Sequence, residues 1–227
     1  MNPARSPVAI RLGKLAEAAQ TGSLHLSGDS GGVIYVSAGD IVAADSRRTP
    51  SLAARIGAAR LGAAGLGAAG LGPLERGWLA TEATIDAAME LMSARPRHVR
   101  FAEPGAEPGP DLPGVPGLAL TALLAEVTRR HRLLEQIAGV LTPDAPVVRN
   151  PRLRSRAVHV SDTQWAILLQ LGQAATPRAL AAELGQSVFG LTIEVYRMVL
   201  LDLVSTVEPR PEASRGRSAL SFIRALA

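Results

Sequence analysis

Residues 104–117 read PGAEPGPDLPGVPG, and five of these positions are proline. Proline has no amide hydrogen to donate and its ring clashes with a preceding helical turn, so neither a helix nor a central strand survives that density. The stretch reads as a linker. It divides the 227-residue chain into two parts, each the size of a small domain.

In the first part, PVAIRLGKLAEAAQTG sets Val8, Leu12, Leu15, Ala16 and Ala19 at helical spacing, with Gly22 where a helix would stop. SLHLSG and GVIYVSAG then alternate with a period of two, and Asp29, Ser30 and Gly31 between them have hairpin chemistry. A turn at Ala38-Gly39-Asp40 leads into IVAAD, so residues 8–45 read as a helix and a small antiparallel meander. SLAARIGAAR is helical behind Pro50, and the near-repeat LGAAGLGAAGLGP follows it. TEATIDAAMELM is helical again, with Thr81 or Thr84 as its cap and Ile85, Ala88, Met89 and Met92 on one face. RHVRF reads as a strand returning to the sheet.

Beyond the linker, residues 118–143 form a long amphipathic helix. Leu120, Leu124, Val127 and Leu134 make its apolar stripe, with His131 on the same side. That stripe suits either a homodimer or packing between the two parts. PRLRSRAVHV, residues 151–160, reads as a strand. Three helices follow, opened by Ser161, by Thr176-Pro177 and by Ser187, with Gly185 closing the second. VSTVEP reads as a closing strand. Strand, three short helices, strand is the order of a winged helix-turn-helix, here over residues 144–210. Residues 211–227 are a tail ending in SALSFIRALA, a short amphipathic helix by its pattern.

Several stretches imitate catalytic motifs. GDSGG, residues 28–32, resembles the surroundings of a chymotrypsin-like nucleophile, but only 29 residues precede Ser30 and His25 is the sole upstream histidine. There is no room for the barrel that carries the other two triad members, so the glycines read as turn formers. GLGAAG, residues 65–70, matches a dinucleotide fingerprint, yet a helical pattern precedes it where a buried strand is needed. The four histidines have no ligand partner at helical spacing, cysteine is absent, and every acidic residue falls on an expected exposed face. No enzyme, metal or cofactor is expected. No run approaches a membrane span or a signal peptide's apolar core, which implies a cytoplasmic protein.

A basic cluster is the feature most suggestive of a partner. Seven arginines lie between Arg129 and Arg156, against Glu135 and Asp144. Arg152, Arg154 and Arg156 would share one face of the expected strand, and with Arg149 they could contact DNA phosphates. Arg178, Ser187, Thr192 and Arg197 join them as candidates, from the second and third helices. Against this, the third helix carries one cation, and Glu194 would face phosphate. Glu194 and Arg197, three residues apart, also read as a simple surface pair.

The runs Gly22-Ser23-Leu24-His25-Leu26, Gly32-Val33-Ile34-Tyr35-Val36 and Gly39-Asp40-Ile41-Val42-Ala43-Ala44 resemble the bacterial PATAN domain, with Val36 where an aromatic is usual. The likeness spans residues 7–103 and is strong over 8–45. TQWAILLQLG and the helices after it are similar to the winged-helix module that often follows that domain. The resemblance implies a non-enzymatic regulator that contacts a small GTPase or a response regulator. The expected architecture is α+β: a PATAN-like module over residues 1–103, the linker 104–117, a connecting helix over 118–143 and a winged helix. The expected function is transcriptional regulation, with signalling adaptation without DNA as the alternative.

Overall fold

The computed structural model describes residues 3–63, 71–104, 116–152 and 157–207. The Gly-Ala repeat at 64–70, most of the Pro/Gly stretch, Arg154, Arg156 and the C-terminal tail lie outside the described residues. The architecture is mixed α+β, with a four-stranded antiparallel sheet and seven α-helices among the described residues.

Helix α1 (Pro7–Glu17) begins where Ser6 Oγ accepts the Ala9 amide, and it buries Val8, Leu12 and Leu15. Strands β1 (Gly22–Ser27), β2 (Gly32–Ser37) and β3 (Asp40–Ser46) form the meander, and β4 (His98–Ala102) pairs antiparallel with β1. The sheet order is β3-β2-β1-β4. Leu24 stands opposite Ile34 and Phe101, so one face collects the apolar side chains.

The GDSGG stretch is a turn in which the Gly31 amide donates to the Gly28 carbonyl at 3.0 Å. Its positive φ falls at Gly28 and not at Gly31 or Gly32. Gly32 is needed for another reason: a Cβ there would collide with the Asp45 carbonyl oxygen of β3.

Helices α2 (Leu52–Ala63) and α3 (Pro73–Ser93) follow. Helix α3 starts well before Thr81 or Thr84. Pro73 occupies its first turn, and the Gly72 amide donates to Glu75 Oε2 at 2.8 Å. Thr84 lies mid-helix, its hydroxyl donating to the Ala80 carbonyl. Residues Ala83 through Met89 are all buried, because α3 has the sheet on one side and other helices on the rest.

The chain re-enters the described structure beside β3, where Leu118 and Ile41 exchange two backbone hydrogen bonds of 2.8 and 2.9 Å. Helix α4 (Leu120–Ile137) then packs into the same core as the sheet, with Leu123 and Val127 fully buried. Leu120, Leu124 and Leu134 pack against that core, and His131 Nδ1 lies 3.2 Å from Glu135 Oε1.

A second apolar core runs from Leu141 to Val204. It is built from β5 (Val147–Arg149), α5 (Asp162–Gln170), α6 (Pro177–Leu184), α7 (Val188–Leu200) and β6 (Val204–Thr206). The caps are those read from the sequence: Ser161, Thr176 and Ser187 each accept an amide of the following turn, and Gly185 closes α6 at φ 59°. The opening strand is displaced from the expected one. β5 covers residues 147–149, Arg152 lies in a bend, and residues 157–160 form no strand. Pro151 has no amide to extend the ladder. Asn150 closes the ladder, donating its amide to the Leu203 carbonyl and its side-chain Nδ2 to Asp202.

Candidate functional site

The two cores meet along a seam held by two ionic clusters. At the first, Asp86 of α3 is fully buried at 0% exposure. Its Oδ2 accepts from Arg55 Nη2 at 2.7 Å and from the Val188 amide at 3.0 Å. Its Oδ1 accepts from Arg130 Nη1 at 2.9 Å and from the Ser187 hydroxyl at 3.0 Å. One carboxylate thus joins α2, α3, α4 and the N-terminus of α7. A buried charge is tolerated only when opposite charge and hydrogen bonds surround it, and the positive end of a helix adds to both.

Arg130 extends this cluster. Its Nη2 donates to both oxygens of Glu82, at 2.7 and 2.9 Å, and its Nε donates to Glu126 at 2.7 Å. Burial opposes the Arg130 charge, but the hydrogen bonds to Glu126 and Glu82 outweigh it and the pKa rises. Arg129 grips Glu126 through Nε and Nη2. The Arg129 hydrogen bond is the main reason the Glu126 carboxyl is held down at about 2, with Arg130 adding to it against partial desolvation. Both guanidinium groups lie over the Phe189 ring of α7, at 5.8 and 5.0 Å from its centroid.

The second cluster lies farther along the seam. Arg178 of α6 donates from Nε to Asp144 at 2.7 Å, from Nη1 to Glu90 at 2.8 Å, and from Nη1 to the Arg48 carbonyl at 3.0 Å. Arg48 Nη2 reaches the same Asp144 at 2.9 Å. Hydrogen bonding from Arg178 holds the Asp144 carboxyl below its ordinary range. Between the clusters Gly185 touches α2, and a Cβ there would lie 2.5 Å from Ala58 Cβ.

These contacts redistribute the residues that sequence reading assigned to DNA. Thr192 is fully buried, its hydroxyl donating to the Val188 carbonyl, which takes it out of reach of any ligand. Ser187 caps α7 and binds Asp86, so it faces the seam. Arg178 is engaged by two carboxylates and a carbonyl. Arg197 pairs with Glu194 at 2.9 Å, and Gln164 donates to the other Glu194 oxygen at 2.7 Å. Arg149 and Arg152 are exposed near β5. Of the stripe, Val127 is buried in the first core and Leu120, Leu124 and Leu134 pack against it partly buried, with His131 half-buried beside them.

The residue missed by sequence reading is Asp86, because all acidic residues were placed on exposed faces. A signal was present. From Ala83 to Met92 the helix is apolar all round apart from Thr84, Asp86 and Glu90, so any charge there must be buried or partnered. Among the described residues no group of three or more His, Asp or Glu could hold a metal ion. No described helix is long and apolar enough to cross a membrane.

Comparison with protein-family models, with curated proteins and with solved structures finds no match.

Proposed function

We propose that this chain is a non-enzymatic bacterial regulator of the adaptor kind, joining protein partners and not reading DNA with α7. In this reading the first core is a PATAN-like module and the second a winged-helix module that serves as a protein-binding surface. The single observation that carries it is the state of α7. A helix that reads a major groove presents its N-terminal residues to base edges, whereas here that end donates to Asp86. The second module exposes large apolar side chains: Trp165 at 55%, Leu169 at 64% and Leu200 at 67%. Such residues, with Trp prominent among them, suit a protein partner better than a phosphate backbone. A response regulator or a small GTPase is the partner class proposed.

The transcriptional reading keeps one observation in its favour, the exposed Arg149 and Arg152. Two measurements on the full chain separate the readings. Titration with genomic DNA fragments should give affinity no tighter than the non-specific range, about 10⁻⁴ to 10⁻⁶ M at physiological salt. A photo-cross-linking residue at Trp165 should capture a signalling protein, and Leu169→Glu should abolish the capture. Tight, salt-sensitive DNA binding lost on changing Arg149 and Arg152 to alanine would replace the adaptor with a transcriptional regulator.

A further inference from the structure

Beside the first ionic cluster the seam carries a half-open cavity of about 640 Å³. Its volume lies within the range of small-molecule sites, roughly 300–1,000 Å³. Ala59 of α2 and Trp78 and Leu79 of α3 form one wall; Phe189, Gly190 and Leu191 of α7 form the other. Arg55, Arg130 and Glu82 also line it.

We propose that this cavity is a binding site for a flat, uncharged aromatic molecule. The charge around it is already matched: Arg55, Arg129 and Arg130 stand against Glu82, Asp86 and Glu126, three and three, all hydrogen-bonded within the set. An anionic ligand would have to pull a guanidinium from a carboxylate, and a cationic one the reverse. The first amide of α7 is also occupied, by Asp86. That leaves apolar contact as the source of affinity. The flat surface for it is Trp78, which is 64% exposed, opposite the half-buried Phe189, whose ring edge and uncapped face remain once the two guanidinium groups have taken one side. Because one wall comes from α2 and α3 and the other from α7, whose Leu191 lies in the second core, a molecule touching both stabilises their docked arrangement by mass action. This inference does not depend on the adaptor reading.

The test uses the full chain and N-phenyl-1-naphthylamine, a neutral aromatic probe. Trp78 and Trp165 are the chain's two tryptophans, so Trp165→Phe leaves Trp78 as the single energy donor. The expected result is saturable one-site binding, with energy transfer from Trp78 retained in the Trp165→Phe variant and a melting temperature that rises with probe. Ala59→Trp fills the cavity from one wall and Gly190→Leu from the other. Each should weaken the probe at least tenfold while the chain stays folded by circular dichroism, so failure of one variant to fold leaves the other decisive. Non-saturable binding, transfer lost in Trp165→Phe, or unchanged affinity in a folded filling variant would overturn the site. A sulfonated naphthylamine bound more tightly in the same cavity would overturn its neutrality.

Discussion

Asp86 holds a charge that water would solvate better than a protein interior does, and it stays buried only because four donors converge on it. Among the hydrogen bonds described, Arg55 has no other carboxylate, whereas Arg130 also has Glu82 and Glu126. Asp86→Asn therefore leaves the Arg55 guanidinium buried without its countercharge. We expect a loss of about 3–5 kcal/mol, the cost of breaking a buried pair from one side, read as a fall in the denaturant midpoint. Adding Arg55→Met should restore part of that loss, since it removes the stranded cation. If Asp86→Asn changed stability by less than about 1 kcal/mol, the cluster would be ornamental.

At the level of elements, α6 and α2 approach closely enough that only glycine fits between them. Gly185 meets two demands together: a left-handed cap at φ 59° and contact with Ala58 and the Ala54 carbonyl. Gly185→Ala should destabilise the chain by about 1–3 kcal/mol, more than an exposed helix cap would, as measured by thermal unfolding. The cap itself was legible in the sequence, as were the meander and the three closing helices. In each of these, local chemistry decides: period-two alternation, an amide-accepting Ser or Thr, a glycine after the last turn. The start of α3 was not legible, because Gly72-Pro73 abuts a low-complexity repeat that hides where the helical pattern resumes. Nor was β5, where partnership with β6, some 55 residues away, outweighs the alternating arginines of residues 151–160. The fate of the arginines was illegible for the same reason. Arg48, Arg130 and Arg178 look alike in a basic chain, and only the fold brings carboxylates to them.

Across the whole molecule the seam depends on carboxylates remaining ionised. Glu126 and Asp144 both titrate lower in the folded chain than their ordinary values of 4.5 and 3.8. A lowered folded pKa contributes stability that is present above the ordinary value and disappears as pH falls through the folded one. These groups should therefore leave the melting temperature level from pH 7 to about 5, with a decline from about pH 4 toward 2. A decline complete by pH 5 would assign the effect to other groups. The Val188 amide offers a finer view of the same seam. The leading amides of a helix ordinarily have no partner within it and exchange their hydrogens freely with water. This one donates to a carboxylate from the other core, so its hydrogen leaves only when the cores separate. Its exchange rate is thus a clock for how often the two halves of the molecule part.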